Sequence, residues 1–217
     1  MLEKSPSMLM QHYSSSRSVD DSKVSVVWEN LSFQRVEKDT KESKPFKPVY
    51  KTKQILSNIS GKASSGELLA IMGPTGCGKT SLLNILAARV SLSGSTNAAL
   101  SGSVLINGAQ RNDVVFRKIS AYVLQDDHLY PHLTVGETLL LAAHFYLSET
   151  ATVQDKEQLV DAVISELGLI KTRLTIIGDD KLRGISGGER KRTSIAVQLI
   201  SDPIVLFLDE PTSGLGR

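Results

Sequence analysis

The sequence predicts an α/β fold in which a largely parallel sheet is interrupted by a helical insert. Three observations carry this. Short apolar runs alternate with segments of helical periodicity. A glycine-rich turn at 73–80 lies between one such run and a helix. A second apolar run, Ile204–Leu208, ends in the adjacent acids Asp209 and Glu210, at the strand edge where α/β sheets gather ligands. The 217 residues, 41% of them hydrophobic, suffice for one sizeable core with an insert but not for several.

Taken in order, residues 1–23 have too few apolar side chains to offset the entropy of ordering, and read as a disordered tail. Ser25–Leu31 reads as a strand, with Val24, Val26 and Trp28 on one face. Arg35–Lys53 holds seven basic and three acidic residues plus two prolines, and reads as a solvated loop open to a lipid-headgroup contact. A strand resumes at Gln54–Ile59, and Gly66 introduces Glu67–Met72, an apolar run of buried-strand type. Leu82, Leu83, Ile85 and Leu86 then recur at helical spacing. Strands follow at Gly102–Ile106, closed by an Asn107-Gly108 turn, and at Ala121–Leu124, which leads into Gln125. Thr134 with Glu137 forms the capping box of one helix. Leu159, Val160, Val163, Ile164 and Leu167 stripe a second, whose acids lie mostly off the stripe. A helix over Gly187–Ile200 and the strand Ile204–Leu208 complete the pattern, and no internal repeat is visible.

Composition excludes several classes. With 25 Lys+Arg against 23 Asp+Glu the formal charge is +2, which removes the electrostatic case for a dedicated nucleic-acid binder. A single Cys excludes a disulfide framework or a Cys-based zinc site. The oiliest stretches, Leu68–Gly78 and Thr138–Ser148, fall short of the ~18 residues a membrane span needs. The serine-rich start lacks the apolar stretch of a secretory signal.

The turn from Gly73 to Thr80 fits G-x-x-x-x-G-K-[ST] between a strand and a helix. Its glycines let the backbone curl until successive N–H groups converge on phosphate oxygens, and the following helix adds its positive end. Lys79 then brings a full charge to the β and γ phosphates, and Thr80 a hydroxyl ligand for Mg²⁺. The competing reading is a glycine-rich turn with a surface lysine. Cys77 reads as a small packing residue, with a thiol activated by the helix end as the alternative. Across the site, Asp209 is read as the carboxylate holding Mg²⁺ through water. Glu210 is read as polarising the attacking water. An ordinary strand ending in an acidic turn gives the same string, but its place 130 residues after Lys79 sharpens it.

Ser186, Gly187, Gly188 and Glu189 spell a further capping box. Two glycines cost about 1 kcal/mol each inside a helix relative to Ala, so a purely structural start would not need them. Bare amides there suit a closely approaching phosphate. Arg190, Lys191 and Arg192 read as a solvated helix face.

In this order, the motifs at 73–80, Tyr122–Asp127, Ile185–Arg192 and Ile204–Leu215 resemble an ABC-transporter nucleotide-binding domain. The White/ABCG type is indicated by Gln125-Asp-Asp, by Leu133–Leu139 and by Glu189-Arg-Lys-Arg. The resemblance covers about residues 24–215. Phe33-Gln-Arg35 lacks the aromatic that stacks on adenine in many such domains, again as in the ABCG type. The resemblance implies a RecA-like P-loop NTPase core, an N-terminal antiparallel β subdomain and an inserted α-helical subdomain at about 126–185. It implies ATP and Mg²⁺ as cofactors. Gly73, Pro74, Thr75, Gly76, Cys77, Gly78, Lys79, Thr80 and Ser81 would bind the nucleotide in cis, and Ser186–Glu189 would close it in trans. Thr80, Gln125 and Asp209 would hold the metal, and Glu210 and Gln125 would be catalytic. It further implies head-to-tail pairing with a second such domain, homo- or heterodimeric. A transmembrane domain would normally share the chain, placing this domain at the cytoplasmic face of a membrane.

The pattern breaks at the end. Gly216 stands where the family's closing motif has Asp. His12, His128, His132 and His144 all precede the acidic strand, so none fits the switch histidine. The family's strand between Glu67–Met72 and Ile204–Leu208 is also missing, which would leave both facing a gap. The expectation is therefore a C-terminally truncated domain with impaired ATPase activity. Three functions compete: an ATP-hydrolysing domain that powers transport, a nucleotide-binding module with little hydrolysis, and a soluble ABC ATPase of translation or DNA repair. The last needs tandem domains or a coiled-coil insert, for which the 61 residues from Gln125 to Ser186 leave little room.

Overall fold

The computed structural model describes residues 24–38, 49–90 and 98–213. The expectations for the tail at 1–23, for His12 and for Gly216 lie outside these residues. Two compact units divide the chain between Lys118 and Ile119.

The N-terminal unit is built on a four-stranded sheet of order β2-β1-β3-β4, all neighbours antiparallel. Its strands are β1 (Ser25–Lys38), β2 (Tyr50–Ser64), β3 (Ala98–Ile106) and β4 (Ala109–Gln110). The buried face of β1 starts with Val24, Val26 and Trp28 and continues with Leu31 and Phe33. That change from even to odd positions follows a register shift between Trp28 and Leu31, where Asn30 has φ 52°. One extra residue moves every later side chain to the other face, so the bulge keeps the apolar set inward. Gly61 sits opposite Trp28, and a Cβ there would come 2.3 Å from the indole. The β3–β4 turn carries Asn107 and Gly108 at φ 50° and 80°, the signs a tight hairpin turn requires.

Helix α1 (Lys79–Leu86) buries Leu82, Ile85 and Leu86, as their spacing predicts. Its last carbonyls need donors. Arg111 supplies them, with Nη1 donating to Ile85 O and Leu86 O at 2.8 Å each while Nε pairs with Asp113 at 2.7 Å. Helix α2 (Asp113–Ile119) buries Phe116.

The C-terminal unit pairs β5 (Ser120–Val123) in parallel with β6 (Val205–Leu208). Its helices are α3 (Val135–Tyr146), α4 (Val153–Glu166) and α5 (Gly187–Leu199). Each begins with a complete capping box, on Thr134/Glu137, Thr152/Asp155 and Ser186/Glu189. Their apolar faces meet in one core that includes Val135, Leu139, Val160, Val163, Ile177 and Ile200. Each fully buried Val, Leu or Ile contributes roughly 1.5–3 kcal/mol, and this core outweighs the modest helix propensities.

Three expectations are corrected. The N-terminal sheet is antiparallel, as the resemblance implied, but the largely parallel sheet read from the strand–helix alternation does not appear: among the described residues only β5 and β6 pair in parallel. Along β1 buried residues alternate with more exposed ones, the antiparallel habit, whereas parallel sheets are covered on both faces. Second, Glu67–Met72 forms no strand, and Leu68, Leu69 and Met72 are exposed. An apolar run becomes a strand only when a ladder partner takes up its N–H and C=O groups, and no described strand does so here. Third, the basic segment at 35–53 is not all loop: Arg35 faces Lys53 and Lys38 faces Tyr50 in the β1–β2 ladder. Their charges stay in solvent while the backbone pairs, since Arg35, Lys51 and Lys53 are exposed.

Candidate functional site

In the N-terminal unit the Gly73–Thr80 turn leads directly into α1. Gly76 and Gly78 have φ +83° and +104°, backbone conformations that other residues adopt only under strain. At Gly78 space is a second constraint, because a Cβ would lie 2.9 Å from Leu56 and 3.2 Å from the Ile55 carbonyl. Gly78 is also the N-cap of α1, with no side-chain cap on the helix. Amides at such a start are of the kind that suits an anionic oxygen. The Lys79 ammonium donates to the carbonyls of Gly73 and Pro74 at 2.9 and 3.1 Å, folding back over the turn. Cys77 is exposed, and its Sγ lies 2.7 Å from where a Gly73 Cβ would stand.

In the C-terminal unit the β5–β6 register brings the ends of both strands together. Val123 faces Leu208, and Asp209 N–H continues the ladder to Val123 O at 3.1 Å. Asp209 is buried, and the Tyr122 hydroxyl donates to its Oδ2 at 3.1 Å. The next residue, Glu210, turns at φ 46° and accepts a hydrogen bond from Gln125 Nε2 at 3.0 Å. Residues 85 positions apart are thereby joined. A buried carboxylate beside a half-buried one, each with a fixed partner, is a donor set suited to a hydrated divalent cation and to a water. Among the described residues no group of three or more His, Cys, Asp or Glu is arranged to hold a metal by itself. Thr80 belongs to the N-terminal unit and Asp209 and Gln125 to the C-terminal one.

Helix α5 starts as its sequence predicts. The Ser186 N–H and hydroxyl donate to Glu189 Oε2 at 2.8 and 2.7 Å, and the Glu189 N–H donates back to Ser186 Oγ at 3.3 Å. The Ser186 hydroxyl and backbone hold the Glu189 carboxyl below its ordinary range, and Arg192 adds to this against a small desolvation penalty. Gly187 is exposed at this start.

The basic residues that follow correct the sequence reading. Lys191 is not on a solvated face: it is 4% exposed, and Arg190 and Arg192 are half-buried. Its Nζ donates to Gln125 O at 2.7 Å and Leu124 O at 3.3 Å, and stands 2.8 Å from Asp127 Oδ1. The Asp127 contact is an ion pair by distance, off the line of a well-formed hydrogen bond. A charge run on a helix does not reveal which of its members turns inward. The signal available for Lys191 was its position one turn beyond the capped Ser186, which the packed face of α5 makes meaningful. Tyr122, within a motif the sequence had singled out, was likewise given no role.

The sequence pattern of the ABC transporter family matches residues 56–213. Among relatives, the chain is 50% identical to ABC transporter G family member 16 of Arabidopsis thaliana over 76% of its own length and 22% of that protein. It is 43% identical to G family member 20 of the same plant, over 85% of this chain and 26% of the relative. It is 46% identical to G family member 5 of Oryza sativa subsp. japonica, over 85% and 22%. The chain therefore spans about a quarter of the length of the curated relatives it matches. It belongs to the ABC transporter family, as a nucleotide-binding domain of the ABCG type. Domains of this family bind ATP with Mg²⁺. No helix among the described residues is long and apolar enough to cross a membrane.

Proposed function

We propose that the chain is the ATP-binding and ATP-hydrolysing part of an ABCG-type transporter, working at the cytoplasmic face of a membrane. The observation that carries this is the joined end of β5 and β6, where buried Asp209, Glu210 and Gln125 converge. Gly73–Ser81 would hold the triphosphate through backbone amides and the Lys79 ammonium. Thr80, Asp209 and Gln125 would hold Mg²⁺, which when bound neutralises phosphate charge. Glu210 takes the proton of the water that attacks the γ-phosphate, and Gln125 fixes the orientation of its carboxylate. Residues 126–185 are the helical subdomain of this reading. Ser186–Glu189 closes the nucleotide held by a second copy or a related domain, and a transmembrane domain receives the resulting motion.

Two measurements test this. Magnesium–ATP titrated into the purified chain produces saturable binding that Lys79→Ala abolishes; equal binding by that variant rejects the reading. Steady-state phosphate release then separates hydrolysis from a second reading, a module that binds nucleotide but scarcely hydrolyses it. That second reading draws on Gly216 in place of Asp and on Lys79 being engaged by its own turn.

A further inference from the structure

Among the described residues of the C-terminal unit Lys191 is the most buried cation, and its surroundings are specific. An ammonium carries three donors and no acceptor capacity. Here three acceptors surround it, Gln125 O, Leu124 O and Asp127 Oδ1, and all belong to the turn that leaves β5. Burying a charge is costly unless it is paired and hydrogen-bonded, and on this face of α5 a surface lysine would serve the helix equally well. Its side chain is 5% exposed and that of Asp127 12%. Gln125 itself is exposed, with its side chain on Glu210. The backbone of this residue is therefore held from inside while its amide works outside. Ser186, the N-cap of the same α5, lies five residues earlier.

We propose that Lys191 is a positioning residue whose buried ammonium fixes the Leu124–Asp127 turn and so sets the Gln125 amide against Glu210. The placement of Gln125 stands on geometry alone; its consequence for magnesium rests on the function proposed above. Without the ammonium, two backbone carbonyls lose their donor and the Asp127 carboxylate its counter-charge, and the turn is free to re-orient toward water. Gln125 then leaves Glu210 without any change at the Gly73–Thr80 turn.

The test has two arms on the full chain. In ¹⁵N spectra the Gln125 side-chain amide pair is identified by its disappearance in Gln125→Glu. In Lys191→Met it moves to the position it takes in Glu210→Ala, where its acceptor is gone. With a fluorescent ATP analogue, Lys191→Met keeps the affinity measured in EDTA but loses about ten-fold of the gain that magnesium confers, the usual scale for removing the support of a metal ligand. An unmoved amide pair, or an intact magnesium gain in a folded Lys191→Met chain, overturns the proposal. If Lys191→Met does not fold, Asp127→Asn decides on the same readouts: a partial shift upholds the proposal and none refutes it. A wild-type chain that binds no nucleotide refutes the proposed function, and the amide arm still decides the role of Lys191.

Discussion

The Gln125 amide donates to Glu210 at 3.0 Å, so the turn after β5 and the acidic end of β6 act as one piece. The parallel register beneath them, with Tyr122 facing Phe207 and Val123 facing Leu208, makes that contact possible. The rings of Tyr122 and Phe207 stack at 6.3 Å between centroids, and the Tyr122 hydroxyl holds Asp209. The acids are thus presented by a packed sheet edge rather than by a free loop.

Glu210→Gln removes the proton acceptor but keeps the shape and a partner for Gln125. On the proposed function, phosphate release by the chain falls at least 100-fold while ATP affinity is retained, within the range of a lost general base. Undiminished release in that variant contradicts the role given to Glu210.

Alkylating Cys77 with N-ethylmaleimide places an adduct over Gly73, against which Sγ already lies. ATP binding is lost on modification, and prior ATP slows the modification. Normal affinity after complete labelling, followed by mass spectrometry, contradicts a nucleotide at this turn.

Gly76 and Gly78 share a positive φ but differ in surroundings: a Cβ at Gly76 meets nothing within 4 Å, whereas one at Gly78 overlaps Leu56. Gly76→Ala therefore costs about 1–2 kcal/mol of conformational strain. Gly78→Ala costs more, since the neighbouring side chain and the Ile55 carbonyl must also move. Urea unfolding of the two variants ranks them, and equal losses contradict the crowding.

Glu137, Asp179 and Glu189 are all held below their ordinary values of 4.5, 3.8 and 4.5, mainly by hydrogen bonds from Thr134, from the Lys181 and Leu182 amides, and from Ser186. Between the lowered native value and the ordinary one, the unfolded chain binds more protons, so stability rises with pH there. The contribution is complete above the ordinary values and is lost as pH falls through the native ones. Urea midpoints stay level from about pH 7 down to about 5 and drop below that. Glu189→Gln, which keeps an acceptor for Ser186 without a titrating group, drops less steeply; an identical slope contradicts the assignment.

Legibility from sequence followed the range of each interaction. The starts of α3 and α5, the α1 spacing and the Asn107-Gly108 turn were readable because caps and turns join residues at most four apart, whereas the equally local Thr152/Asp155 box of α4 was overlooked. Glu67–Met72 was misread because apolar content signals a strand without saying what pairs with it. Lys191 was misread for the converse reason: its polarity gave no hint of three acceptors waiting inside.

The amino-acid string by itself determined the glycine turn, the capping boxes and the two acids that close β6, since backbone conformation and first-turn hydrogen bonds are settled within a few residues. Only the tertiary structure decided the register in which β1, β2 and β3 pair, that Lys191 is interior and that Gln125 meets Glu210. Those outcomes depend on ladder register and on which surfaces exclude water, and both are fixed by partners tens of residues away along the chain.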